Sequence, residues 1–115
     1  MSVRRGEVVR VDWPYSDRTG SKVRPALVVQ ADTLNGLIAD TLLVLISRTQ
    51  RAVGMTEVLI DPAVESGCGL RYPSAASCNN LLTIDQSLIV QAIGRVSPAT
   101  MQQIDDRLKA ALGLT

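Results

Sequence analysis

Thr41-Leu42-Leu43-Val44-Leu45-Ile46-Ser47 is a nearly continuous apolar run, and its reading decides the fold. Such a run reads as a central strand buried on both faces. Working outward, Asp32–Gly36 carries the residues of a turn or short helix, and Pro25–Gln30 reads as a strand (Ala26-Leu27-Val28-Val29). Before it, Tyr15–Val23 holds Ser16, Asp17, Thr19, Gly20 and Ser21. That is turn chemistry over a loop longer than a tight hairpin needs, and long loops in compact domains are often functional. From Gly6 to Trp13, Val9, Val11 and Trp13 alternate with Val8, Arg10 and Asp12, which is strand periodicity ended by Pro14.

On the C-terminal side, Thr56–Ile60 predicts a fourth strand, closed by Asp61-Pro62. Gly67, Gly69 and Pro73 mark a loop, and Ser74–Leu82 a fifth strand. Thr83-Ile84-Asp85-Gln86 has the form of a capping box, which predicts one or two helical turns over Ile84–Ile89. Val90–Val96 returns as a short strand. Ser97-Pro98 then supplies an N-cap and a proline at the first helical position. Met101, Ile104, Leu108 and Leu112 recur at helical spacing, Asp105, Asp106 and Lys109 face out, and Gly113 stops the helix. The expectation is one domain over residues 1–115, mainly β with a C-terminal helix: a small antiparallel barrel or strongly bent sheet of α+β class.

Composition narrows the function. The chain has 46% apolar residues but only Trp13, Tyr15 and Tyr72 as aromatics, so its core is built from Val, Leu, Ile and Ala. The net charge is +1, yet residues 1–51 carry +3 and the remainder −2. Ten of the twelve basic residues are Arg, whose planar fork suits phosphate oxygens, although Arg-rich codon usage explains the same count. Arg4-Arg5 leads into a charged strand rather than an apolar run, so no signal peptide is expected, and no stretch is long enough to span a membrane. Cys68 and Cys78 match no zinc spacing. They read as reduced cytoplasmic thiols, with Cys78 filling the core and a disulfide as the alternative.

The chain contains no histidine. That removes Ser-His-Asp and Cys-His catalysis and His-based metal sites. Its carboxylates are scattered, against two-metal phosphoryl chemistry, and Gly-rich phosphate loops are missing. An enzyme built this way works with Arg, hydroxyls, amides or a lone carboxylate, on a substrate that brings its own nucleophile. RNA is such a substrate through its 2′-hydroxyl. The protein then has to orient the groups in line and stabilise charge on the phosphorane-like transition state.

The stretch Gly20-Ser21-Lys22-Val23-Arg24-Pro25-Ala26-Leu27-Val28-Val29 resembles the signature of the MazF/PemK toxin family. Arg5-Gly6-Glu7-Val8-Val9, Leu45-Ile46-Ser47, Leu82-Thr83-Ile84-Asp85 and Ile93-Gly94-Arg95-Val96-Ser97 extend the resemblance in order along nearly the whole chain. It implies an SH3-like barrel, a homodimer in the cytoplasm, a cognate antitoxin protein and metal-independent, cofactor-free cleavage of single-stranded mRNA to 2′,3′-cyclic phosphate and 5′-hydroxyl ends. The family's catalytic Arg falls on Arg24. Its catalytic hydroxyl, usually Thr, falls on Ser47, which keeps the oxygen and loses the methyl. Where the family often has an acidic residue, Gln, an aliphatic and Arg, this chain has Asn79, Asn80, Leu81 and Leu82. That departure bears on the sequence cut.

Without the family, Arg24 is an ordinary arginine at a strand start, held extended by Pro25, and Ser47 a strand-end hydroxyl. Ser21, Lys22, Arg48 and Arg51 are candidate RNA contacts that also read as solvated loop groups. Trp13 and Tyr15 flank the first loop and could stack on a base, with core or dimer packing the alternative for Trp13. Adjacent amides at Asn79 and Asn80 are disfavoured in a strand, which points to a functional reason such as reading a base edge. Two rival functions remain: a same-fold toxin that binds gyrase, and a catalytically inactive relative. A non-catalytic SH3-like binding module is weakened by the shortage of aromatics.

Overall fold

The computed structural model describes residues 2–48 and 54–114. In chain order its elements are β1 (Glu7–Pro14), β2 (Ser21–Val28), α1 (Asp32–Asn35), β3 (Asp40–Arg48), β4 (Glu57–Ile60), β5 (Ser74–Asp85), β6 (Gln91–Arg95) and α2 (Pro98–Leu112). The strands form one antiparallel sheet in the order β4-β5-β3-β2-β1-β6. The apolar run at 41–47 lies inside it as β3, between β2 and β5, and this is the expected α+β architecture.

No ladder joins β4 to β6, so the sheet is open, but it curls until its edges meet. Gly67 lies only seven residues beyond the end of β4, and its carbonyl accepts a hydrogen bond from the Arg95 amide of β6 at 2.9 Å. Seven residues span at most about 25 Å, so the two outer strands must approach one another. The contact is backbone against backbone. A Cβ on Gly94 would lie 2.4 Å from the Gly67 oxygen, and one on Gly69 would lie 2.0 Å from the Ile93 oxygen. Gly69 also holds φ +77°, where other residues are strained.

Each face of the sheet carries its own core. On one face Val8, Leu27, Val44, Ile46, Val58, Ile60, Ala76 and Cys78 pack with Met101 and Ile104 of α2. On the other Val9, Val11, Trp13, Ala26, Val28 and Leu43 pack together, with Leu45, Leu82 and Ile84 against them. Cys68 and Cys78 are both buried and free, and burial pushes the Cys78 thiol up to about 11.

One irregularity crosses the sheet. Val44 pairs with Leu81, but Leu45 pairs with Ser77, so Cys78, Asn79 and Asn80 are extra on β5. The insert is odd in number and exchanges the faces of the strand. Before it Ala76 points to the helix side; after it Leu82 and Ile84, also even-numbered, point to the other.

Several expectations need correction. The second strand begins at Ser21, not Pro25, because β1 pairs with it back to Pro14↔Ser21. The first loop therefore shrinks to Tyr15–Gly20. Thr83 is not an N-cap: Asp40–Leu42 of β3 pair with Thr83–Asp85, and the long-range ladder overrides the local capping signal. Asp85 caps instead, accepting from the Ser87 amide, and only a 3₁₀ turn, Gln86–Leu88, follows. Asp105 does not simply face out, since it forms an ion pair with Arg5. At the last helix Ser97 caps as expected, with Pro98 behind it and Gly113 left-handed at the end.

Candidate functional site

The β2–β3 ladder runs from Val28↔Leu43 to Ala26↔Leu45 and stops. Two further residues along each strand, the same register reaches Arg24 and Ser47. Alternate residues of a strand share a face, so both fall on the side of Ala26 and Leu45, away from α2. The two residues thus share a face just beyond the last pair of the β2–β3 ladder.

Beside them is a cleft of about 850 Å³. One wall is the β1–β2 loop, Trp13–Arg18 with Gly20; the floor is Arg24 and Leu45; the other wall is Asn80, Leu81 and Leu82. The loop is closed by backbone hydrogen bonds from Tyr15 to the Gly20 carbonyl (2.8 Å) and from Arg18 to the Tyr15 carbonyl (2.9 Å). Arg18 takes the left-handed conformation at φ 63°. Asp17 accepts the Thr19 amide at 3.1 Å and the Thr19 hydroxyl at 2.8 Å, and these bonds hold its carboxyl below the usual range.

Arg24 is half-buried and has no carboxylate within ion-pair distance among the described residues. A guanidinium is protonated at any working pH, so this one is suited to holding an anion. Ser47 lies next to Leu45 on the same face but outside the cleft lining, opposite Ala75 of β5. The same face continues across the sheet through Leu45↔Ser77 and Ser77↔Glu57, and the Ser77 hydroxyl donates to Glu57 Oε2 at 3.3 Å. Sequence reasoning passed over Ser77 and Glu57, which only the strand pairing brings here.

The remaining candidates divide. Asn80 lines the cleft, lifted there by the bulge. Lys22 is exposed opposite Trp13 and shares the face of Arg24. Ser21 pairs with Pro14 at the hairpin end and by alternation faces the other way. Asn79 is exposed and accepts from the Thr56 hydroxyl at 3.4 Å rather than entering the cleft. Arg48 follows Ser47 and so falls on the opposite face, its guanidinium 4.1 Å from the centre of the Tyr72 ring. Arg51 lies outside the described residues. Among the described residues, no three His, Cys, Asp or Glu side chains gather where a metal ion could bind.

A family model described as PemK-like, MazF-like toxin of type II toxin-antitoxin system matches residues 4–112. Endoribonuclease MazF4 of Mycobacterium tuberculosis is 29% identical over 110 residues, covering 96% of this chain and 92% of its own. Endoribonuclease MazF1 of Mycobacterium bovis aligns to the same extent. Among solved structures, an endoribonuclease in complex with its cognate antitoxin from a mycobacterial species superposes with a TM-score of 0.78 at 28% identity, covering 99% of this chain and 98% of that one. The MazF of a MazE-MazF complex from Deinococcus radiodurans shares the fold, with a TM-score of 0.74 at 14% identity over 100% of this chain and 99% of that one.

Proposed function

The chain belongs to the PemK-like, MazF-like family of type II toxins, and from that premise we propose that it is an endoribonuclease cutting single-stranded mRNA at selected sequences. The observation that carries this reading is the position of Arg24: a half-buried cation lining an open cleft, with no carboxylate within ion-pair distance among the described residues, on the sheet face that strand alternation also gives to Ser47.

In the proposed reaction the RNA supplies the nucleophile. Its 2′-hydroxyl gives up a proton as the oxygen attacks the adjacent phosphorus, the P–O5′ bond breaks, and the departing 5′-oxygen takes up a proton, so the products carry a 2′,3′-cyclic phosphate and a 5′-hydroxyl. Arg24 stabilises the charge that grows on the non-bridging oxygens, and Ser47 donates a hydrogen bond to the same group. Both interactions strengthen as the transition state forms, which is what raises the rate. A guanidinium does the electrostatic work, so the mechanism calls on no metal ion and no cofactor. Asn80 and Lys22 contact the RNA on either side. The antitoxin-bound relative extends the reading to a cognate antitoxin, and the family resemblance extends it to a homodimer acting in the cytoplasm. No helix among the described residues is long and apolar enough to cross a membrane.

The test is cleavage of a long unstructured RNA in EDTA by the wild type, Arg24→Ala and Ser47→Ala, with end-group analysis. Discrete cuts bearing 5′-hydroxyl ends are expected, with kcat/KM falling about a hundredfold to a thousandfold in Arg24→Ala. Intact RNA across many sequences would turn the reading toward a gyrase-directed or inactive relative. Activity that requires added metal would overturn the mechanism.

A further inference from the structure

The cleft has a chemical polarity that the cleavage reaction does not use. Arg24 and Arg18 only donate hydrogen bonds, while Asn80, Tyr15 and Ser16 both donate and accept. Asp17 is the one carboxylate in the lining, and the one side chain there that only accepts. An anion beside a polyanionic substrate repels phosphate. With the scissile phosphate drawn to Arg24, the part of the RNA that meets Asp17 is therefore uncharged: a base edge.

Asp17 is also held in place. Two bonds from Thr19 converge on its Oδ1, at 2.8 and 3.1 Å, and the left-handed turn at Arg18 fixes the chain behind it. Among the described residues no other residue donates to Oδ2. A carboxylate whose direction is set before binding discriminates better than one that must be ordered by the ligand. The ring of Tyr15, 42% exposed in the same loop and backed by Gly20, offers a face on which that base can stack.

We propose that Asp17 is a specificity-determining residue that selects a guanine at a position adjoining the cut. The inference rests on the ribonuclease reading and names the base its cleft prefers. The reason lies in the Watson–Crick edges. Guanine alone presents two adjacent N–H donors, N1–H and the N2 amino group. Uracil offers one N–H between two carbonyl oxygens, and adenine and cytosine pair their amino group with a ring nitrogen whose lone pair repels a carboxylate. Asn80, on the opposite wall, has an amide that can donate to guanine O6.

The experiment is digestion of a randomised RNA pool by the full chain in EDTA, with the cut ends sequenced, for wild type, Asp17→Asn and Asp17→Ala. A second arm uses a cleaved oligonucleotide whose guanine beside the cut is replaced by inosine, which lacks the N2 amino group. Wild type should show guanine at one fixed position and should cut the inosine substrate about tenfold more slowly. Both variants should lose the guanine preference by about tenfold to a hundredfold and treat guanine and inosine alike. Cuts by wild type with no guanine position, or a guanine preference that survives in both variants, would overturn this inference while leaving the ribonuclease reading standing. RNA left intact by wild type would overturn both.

Discussion

Replacing Gly94 by alanine should be among the most damaging single-methyl changes in this protein. The added Cβ would sit 2.4 Å from both the Cys68 carbonyl carbon and the Gly67 oxygen, and these are backbone atoms that cannot rotate away. β6 must therefore move off the 67–69 segment. The Arg95–Gly67 hydrogen bond at 2.9 Å is lost with that movement, at about 1 kcal/mol. Overpacking adds about 1–3 kcal/mol, for a total of about 2–4 kcal/mol. At about 4 °C per kcal/mol the midpoint of thermal unfolding falls by roughly 8–16 °C. Gly69→Ala meets the same junction from the other side and adds the strain of φ +77°. Once either methyl has pushed the strands apart, the second has less to clash with, so the double variant should cost at least about 1 kcal/mol less than the sum. Gly113→Ala is the control: φ +69° with nothing within 4 Å of its Cβ, worth about 1 kcal/mol from backbone strain alone. Urea denaturation of the four variants measures all of this. A Gly94→Ala protein no less stable than Gly113→Ala, or strict additivity in the double variant, would refute the close-contact account.

Two further substitutions test the polar contacts that hold the frame. Glu65 accepts from the Ser97 amide (3.0 Å), the Ser97 hydroxyl (2.7 Å) and the Thr100 hydroxyl at the start of α2. Burial raises its pKa, but the bonds from Thr100 and Ser97 outweigh that and hold it below its ordinary 4.5. A lowered folded-state pKa gives stability that is present above the unfolded value and lost as pH falls through the folded one. Glu65→Gln should therefore cost about 1 kcal/mol at pH 7 and flatten the loss of stability below pH 4.5, read from urea midpoints at stepped pH. Asn35, 2% exposed, accepts from the fully buried Thr41 hydroxyl at 2.8 Å and donates to the Gln30 carbonyl at 2.9 Å. Asn35→Ala strands that hydroxyl and should cost about 2–4 kcal/mol. A Thr41→Val background in which Asn35→Ala still costs as much as it does in the wild type would show that the two do not act together.

What the sequence disclosed was what is locally encoded. The 41–47 run identified β3 because a strand covered on both faces leaves no polar position to confuse the pattern. Ser97-Pro98 and Gly113 located α2 because caps act within a few residues. Thr83–Gln86 misled for the complementary reason: the capping-box pattern is real, but three pairings to β3 pull Thr83–Asp85 into a strand. The cap that Glu65 supplies comes from 32 residues away and leaves no local trace. In the site, Arg24 and Ser47 could be named through the family signature, but their shared face follows only from the β2–β3 register. Asn79-Asn80 looked wrong for a strand, and the physical reason is the bulge, which sends the two amides to different places. Arg48 and Ser21 fell outside the cleft because strand alternation, invisible until the register is known, turns them to the other face.

The bulge has one more consequence. Inserting three residues makes β5 a strand whose two halves obey opposite parities, so its length there is quantised. Adding or removing two residues between Cys78 and Leu81 would keep Leu82 and Ile84 pointing into their own cluster and change only the shape of the cleft wall. Adding or removing one would turn the second half of the strand inside out, burying Thr83 and exposing its two neighbours. The wall that carries Asn80 can therefore be remodelled in even steps without disturbing the core beneath it. The shape of the cleft wall and foldability are separable at this point in the chain by counting alone.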